Sequence, residues 1–267
     1  MRRRALLAVP LLVACASADA PPPAATSPAA APASATTSRL ETRLTVEEAT
    51  RLGAPVRLRL ELVNATGEAW SFDGQQAGIN GSLEVTGPDG ATVPYVGPSC
   101  QTCGGPELLP SGETAVLFSG LDLGGQYLLD RPGRYTVRYA GRGVSVDRGP
   151  VRGGGVLWDS KETVDPCEVT FELAPGEVPR GARVTRALLS AAPEGWWLTA
   201  DGTSWALVST GGSGLKSDAQ CVRLREGAPA EPGEVQVGRG LFLSASPGAA
   251  ALWPEHRARI EAALRAE

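Results

Sequence analysis

Histidine is almost absent from this 267-residue chain, with His256 standing alone. A zinc-protease helix of the HExxH type needs two histidines, and any Ser–His or Cys–His pair would have to be built on that one position. Lysine is nearly as scarce, limited to Lys161 and Lys216, and the 29 acidic residues outnumber the 25 basic ones. An acidic surface of this kind is repelled by phosphate backbones, so nucleic acid is not an expected partner. Aromatic residues make up 5% of the chain. No apolar run approaches the roughly 20 residues that a membrane-crossing helix requires.

What is present begins with Arg2, Arg3 and Arg4, followed by the short apolar run Ala5–Ala14 and then Cys15. That order is a targeting segment and not a structural helix. Leu12-Val13-Ala14-Cys15 resembles the lipobox of bacterial lipoproteins, a likeness confined to about the first 15 residues. The resemblance implies diacylglycerol on the Cys15 thiol, cleavage before it and acylation of the new amine. Several acyl chains give stable anchoring where one gives only marginal binding, at about 0.8 kcal/mol per buried CH₂. The alternative is an ordinary signal peptide cut after Ala18 or Ala20. Ala16 carries no strong retention signal, which favours an outer over an inner membrane. Removing residues 1–14 deletes three of the 25 basic residues and none of the 29 acidic ones, moving the formal charge from −4 to −7.

Residues 15–39 are almost entirely Ala, Pro, Ser and Thr after the cysteine. Such a composition buries too little apolar surface to offset its ordering entropy, so it reads as a disordered tether. Its reach is between about 25 Å as a coil and about 70 Å as polyproline II.

Residues 40–147 carry short β-type runs between turn signals. The runs are Leu44–Val46, Val56–Val63, Trp70–Phe72, Leu83–Thr86, Val93–Val96, Thr114–Ser119 and Tyr135–Ala140. Val56–Val63 alternates apolar and charged residues as a half-buried strand does. Leu52-Gly53-Ala54-Pro55-Val56, Leu109–Thr114 and Asp130–Tyr139 resemble secreted bacterial Ig-like domains, among them BsuPI-type domains and the sandwich preceding some secreted zinc endopeptidases. The resemblance implies an antiparallel β-sandwich, and transfers a fold but no activity. Tyr135 has two readings, a corner tyrosine tying a turn or a core aromatic.

Residues 148–166 read as a connection, and residues 167–267 as a smaller α+β domain. Strands are expected at Glu168–Leu173, Trp196–Ala200, Ser204–Ser209, Ala219–Arg225 and Gly240–Ser244, with a hairpin about Asp201-Gly202. Arg183–Ala191 satisfies both helical and strand periods. Pro254–Ala266 opens with proline in its first turn and reads as a helix. The expected fold class is therefore mainly β, an Ig-like sandwich followed by an α+β unit with a C-terminal helix.

Four cysteines follow Cys15, namely Cys100, Cys103, Cys167 and Cys221. Outside the cytoplasm an even count argues for disulfides, most simply Cys100–Cys103 and Cys167–Cys221. A redox CxxC opens a helix, whereas here Gly104-Gly105-Pro106 follows, so a loop staple is the reading. A zinc site from all four thiols has weak spacing. Gly202-Thr203-Ser204-Trp205-Ala206 lacks the strand-to-helix setting of a nucleophile elbow, and Gly211–Ser217 lacks the glycine before lysine of a phosphate loop. No catalytic residue, metal or cofactor is expected. Trp196, Trp197 and Trp205 cluster on one hairpin, and adjacent Trp196 and Trp197 must face opposite sides of a sheet. They form the candidate binding surface, with core or inter-domain packing as the alternative. The expectation is a non-enzymatic, membrane-anchored module with an envelope protein as a possible partner. A protease inhibitor acting through a sandwich loop and an unrecognised extracytoplasmic enzyme in the C-terminal half are the competing expectations.

Overall fold

Strand β1 (Glu41–Glu48) lies antiparallel to β2 (Arg57–Val63), and the alternation of β2 decides what each face does. Leu58, Leu60 and Leu62 are fully buried while Arg57, Arg59 and Glu61 occupy the other face. Burial of each leucine is worth about 1.5–3 kcal/mol. A one-residue slip of register would turn this row out to solvent. The computed structural model describes residues 39–98, 105–150, 163–192, 194, 196–201, 203–209, 221–227, 234–238, 240–245 and 253–266.

Among the described residues, four antiparallel sheets make the fold mainly β. The first has the order β1-β2-β6, with β6 at Thr114–Asp122. The second has the order β4-β7-β9, formed by Leu83–Thr86, Gly133–Tyr139 and Cys167–Leu173. The third places β3 (Trp70–Asp73) between β5 (Glu107–Leu109) and β8 (Ser145–Arg148). These three sheets share one core, in which Trp70, Tyr135 and Tyr139 are the largest fully buried side chains.

The fourth sheet has five strands in the order β10-β11-β12-β14-β13. They are Trp196–Asp201, Ser204–Ser209, Cys221–Glu226, Leu241–Ala245 and, for β13, Val235–Gly238. Helices α1 (Arg180–Ala191) and α2 (Trp253–Arg265) pack on each other, with α1 against β10 and α2 against β13. A second core forms there, including Val184, Leu188, Leu198, Trp205, Leu207, Leu224, Leu243, Ile260 and Leu264.

The ambiguous segment Arg183–Ala191 is helical. Val184, Ala187, Leu188 and Ala191 recur at the i, i+3, i+4, i+7 spacing of one helix face and are all buried. The helix stops at Ala192, extended at ψ 139°, as a residue before proline must be. Val93–Val96 forms no ladder but one isolated bridge, Tyr95 to Tyr127, with a second from Thr92 to Thr86 just before it, because Pro94 has no N–H for a ladder. Strands β5, β8 and β13 were not expected from the sequence, being only three or four residues long.

The 167–267 stretch also differs at its start. Strand β9 pairs along its length with β7, and Phe171 and Leu173 enter the first core, so it completes a sheet of the preceding region. Val164, expected in the connection, is likewise buried in that core.

The described residues belong to one compact unit, and named contacts join its two cores. Val96, from the first region, inserts into the second core, and its carbonyl accepts from Ala200 N at 2.5 Å. Arg186 on α1 donates from Nε to Asp130 Oδ2 at 2.7 Å. Where β9 leads toward α1, a Cβ on Gly176 would lie 2.1 Å from the Leu52 carbonyl oxygen, so only glycine fits that crossing.

Candidate functional site

Period-two alternation along β10, β11, β12 and β14 sorts the fourth sheet into two faces. The inner face carries Leu198, Trp205, Leu207, Val222, Leu224 and Leu243 against the helices. On the opposite face, register sets Trp197 beside Val208 and Cys221 in one row. The next row holds Thr199, Ala206, Arg223 and Ser244, and the third Ser204, Arg225, Phe242 and Gln236.

The structure therefore divides the three tryptophans. Trp205 is 3% exposed, and its indole N–H donates to Thr185 Oγ1 at 2.9 Å. Trp196 is half-buried against the same core. Trp197, the neighbour that must face the other way, is 48% exposed. Packing accounts for Trp196 and Trp205; Trp197 alone is presented to solvent.

A cleft of about 440 Å³ opens on that outer face, lined by Thr199, Ser204, Arg223, Arg225, Glu234 and Ser244. Arg225 is held as a fork, its Nε donating to Glu234 Oε1 at 2.8 Å and its Nη2 to Oε2 at 2.5 Å. Its guanidinium also lies 5.1 Å from the Phe242 ring centroid, a cation–π arrangement. Arg223, two residues back on the same face, is exposed and makes no ion pair among the described residues. Of the two guanidinium charges on this face, that of Arg225 is balanced by Glu234.

The arginines were missed at the level of sequence, although the signal was present. Cys-Val-Arg-Leu-Arg-Glu alternates buried Val222 and Leu224 with Arg223 and Arg225, which places both cations on one face. What hid it was the absence of any local sign that this face stays clear of the helices.

A second cleft of about 300 Å³ lies between the two cores, lined in part by Val96, Asp122, Tyr127, Thr185, Ala200 and Trp205. Its polar side chains are engaged in structural bonds. Tyr127 donates to the Leu83 carbonyl at 2.6 Å, Asp122 accepts from Gly124 N at 3.1 Å, and Thr185 accepts from Trp205. The arrangement offers apolar volume and no paired nucleophile and base.

The cysteines correct one expectation. No Cys167–Cys221 disulfide is present. Cys167 opens β9 opposite Tyr139 and packs against the first core, whereas Cys221 opens β12 on the outer face of the fourth sheet. Burial pushes the Cys167 thiol above its ordinary range, partly offset by bonds from the Thr42 side chain and the Leu44 backbone. Cys15, Cys100 and Cys103 lie outside the described residues, as does the side chain of His256.

Tyr135 is both a core aromatic and a turn tie. It is 1% exposed, stacks on Phe171 at 5.6 Å, and donates its hydroxyl to the Arg131 carbonyl at 2.8 Å. No protein-family model matches this chain, and no curated protein sequence does either.

Proposed function

We propose that this protein is an exported lipoprotein of a bacterial envelope, anchored through Cys15, whose folded part is a non-enzymatic binding module. The observation that carries the binding reading is the exposure of Trp197 on the same sheet face as Arg223, which makes no ion pair among the described residues, opposite the helices. An indole and a guanidinium are the side chains most often found as anchors of binding surfaces. The tether would hold this face clear of the membrane, and an envelope component is its partner.

An Ig-like sandwich is the architecture proposed for the first three sheets. The orders β1-β2-β6 and β4-β7-β9 support it, because they follow the A-B-E and C-F-G neighbours of that fold. The Tyr135 hydroxyl bond at the start of β7 supports it too, since a corner tyrosine sits at the start of strand F. The fourth sheet with its two helices is the α+β unit.

Two measurements test the reading. Cys15→Ser should abolish labelling by radioactive palmitate and release the protein from membranes; continued labelling would remove the anchor. A photo-crosslinking aromatic amino acid in place of Trp197, in intact cells, should give one discrete adduct that a probe at exposed Glu172 does not. Equal capture at both positions would remove the binding face.

A protease inhibitor remains the second reading, supported by one observation. Leu108 on edge strand β5 is 53% exposed and Val116 on β6 is 49% exposed, separated by the Pro110-Ser111-Gly112 turn. An extended edge with a projecting apolar side chain matches the shape of a protease cleft. Leu108→Asp should abolish inhibition of any protease the protein blocks, and inhibition unaffected by that change would reject this edge.

A further inference from the structure

We propose that the outer face of the fourth sheet binds an anionic carbohydrate, a saccharide bearing carboxylate groups, with Trp197 as the stacking surface and Arg223 as the anion contact. This rests on the binding reading above and goes beyond it by naming the ligand class.

Three observations lead to it. First, Trp197 offers a rigid apolar plane, 48% exposed, one row along β10 from Thr199, which lines a polar cleft. The C–H faces of sugar rings stack on such planes, while their hydroxyls need hydrogen-bonding groups nearby. Second, the cleft supplies those groups on regular structure: Thr199 and Ser244 share the Arg223 row, and Ser204 shares the Arg225 row. A volume of about 440 Å³ has room for a sugar unit and its substituents. Third, the charge is matched to an anion. Arg225 is neutralised by Glu234, and Arg223 makes no ion pair among the described residues, so it is the positive group open to an anion on this face.

Spacing adds a length requirement. Trp197 and Arg223 are separated by two strand intervals and one row, which puts their Cα atoms about 12 Å apart. A ligand touching both through their long side chains must span more than one sugar ring. The site therefore selects oligosaccharides over monosaccharides. The Arg225–Glu234 fork, pinned over Phe242, fixes one wall of the cleft, so little ordering is required on binding.

The test uses the full chain in detergent, titrated with trigalacturonate, with neutral maltotriose and with free citrate, and read by tryptophan fluorescence and calorimetry. Trigalacturonate is expected to bind at least about tenfold more tightly than maltotriose or citrate, a difference of about 1.4 kcal/mol. Arg223→Gln should remove that preference, and Trp197→Ala should weaken the trisaccharide by about tenfold or more, with unchanged thermal unfolding showing that both variants fold. Equal affinity for maltotriose would reject the anion contact. Equal affinity for citrate would show a simple anion site and reject the carbohydrate. Absence of trisaccharide binding, or binding indifferent to Trp197→Ala, would overturn the inference. A discrete protein adduct from the in-cell crosslink at Trp197 would in that case leave the broader binding reading standing.

Discussion

The indole of Trp205 on β11 donates to the hydroxyl of Thr185 on α1 at 2.9 Å, and both side chains are buried. This bond joins sheet to helix inside the second core. Replacing Thr185 with valine keeps the volume and leaves the indole N–H without an acceptor, at a cost of about 1–3 kcal/mol. Urea unfolding of Thr185→Val should show that loss. In Thr185→Val combined with Trp205→Phe the second substitution should cost less than alone, and simple additivity would show that the bond is not coupled.

Asn64 is fully buried in the turn after β2, and its amide is satisfied on every side. Its Nδ2 donates to the Glu68 and Leu109 carbonyls, both at 2.9 Å, while Oδ1 accepts from Thr66 N at 3.0 Å and Thr66 Oγ1 at 2.6 Å. Thr66 Oγ1 in turn accepts from Trp70 Nε1 at 3.0 Å. Asn64→Leu strands these backbone groups and should destabilise by about 2–4 kcal/mol in chemical denaturation. A loss below about 1 kcal/mol would mean that water replaces the amide.

Burial pushes the hydroxyls of Tyr127, Tyr135 and Tyr139 above the ordinary tyrosine range. In the unfolded chain these groups release their protons near pH 10, whereas the folded chain retains them. Above about pH 10 the folded state thus binds more protons, and stability falls as pH rises. Their contribution is intact at lower pH. Tyr139 separates this effect from hydrogen bonding, because its buried hydroxyl has no partner among the described residues. Tyr139→Phe should be neutral or stabilising by up to about 1 kcal/mol at pH 7, and should shallow the alkaline fall. A clear loss of stability at pH 7 would show that the hydroxyl is satisfied.

Peptide mapping without reduction tests the cysteines directly. No peptide linking Cys167 to Cys221 is expected, since the two are not bonded. Alkylation of Cys167 should be slow, because burial holds the thiol protonated and limits access. Recovery of a Cys167–Cys221 peptide, or rapid labelling of Cys167, would contradict the arrangement at the start of β9. The same map reads whether Cys100 and Cys103 are joined.

The strands with strong alternation or β-branched and aromatic runs were legible from local pattern alone. Val56–Val63, Leu83–Thr86, the hairpin of β10 and β11, and the final helix all lie where the residue pattern places them. Each carries its own burial signal, period two or period 3.6, within a single element. The tripeptide strand β5 and the polar strand β8 have no such signal, and they exist because β3 supplies partners for their backbones.

For the site, sequence alone established that Trp196 and Trp197 oppose each other, since that follows from the pleat, while the shared face of Arg223 and Arg225 was present in the same pattern but passed over. Which face is covered was a tertiary decision. Helices α1 and α2 bury the side with Trp205 and Leu224, leaving Trp197 and Arg223 to solvent. The fate of Cys167 was settled the same way. A spacing rule sees two thiols in one chain, but β9 is drawn into the first core by its ladder with β7, away from a bond with Cys221. Local periodicity states which side chains travel together, and only the packing of distant segments determines what they meet.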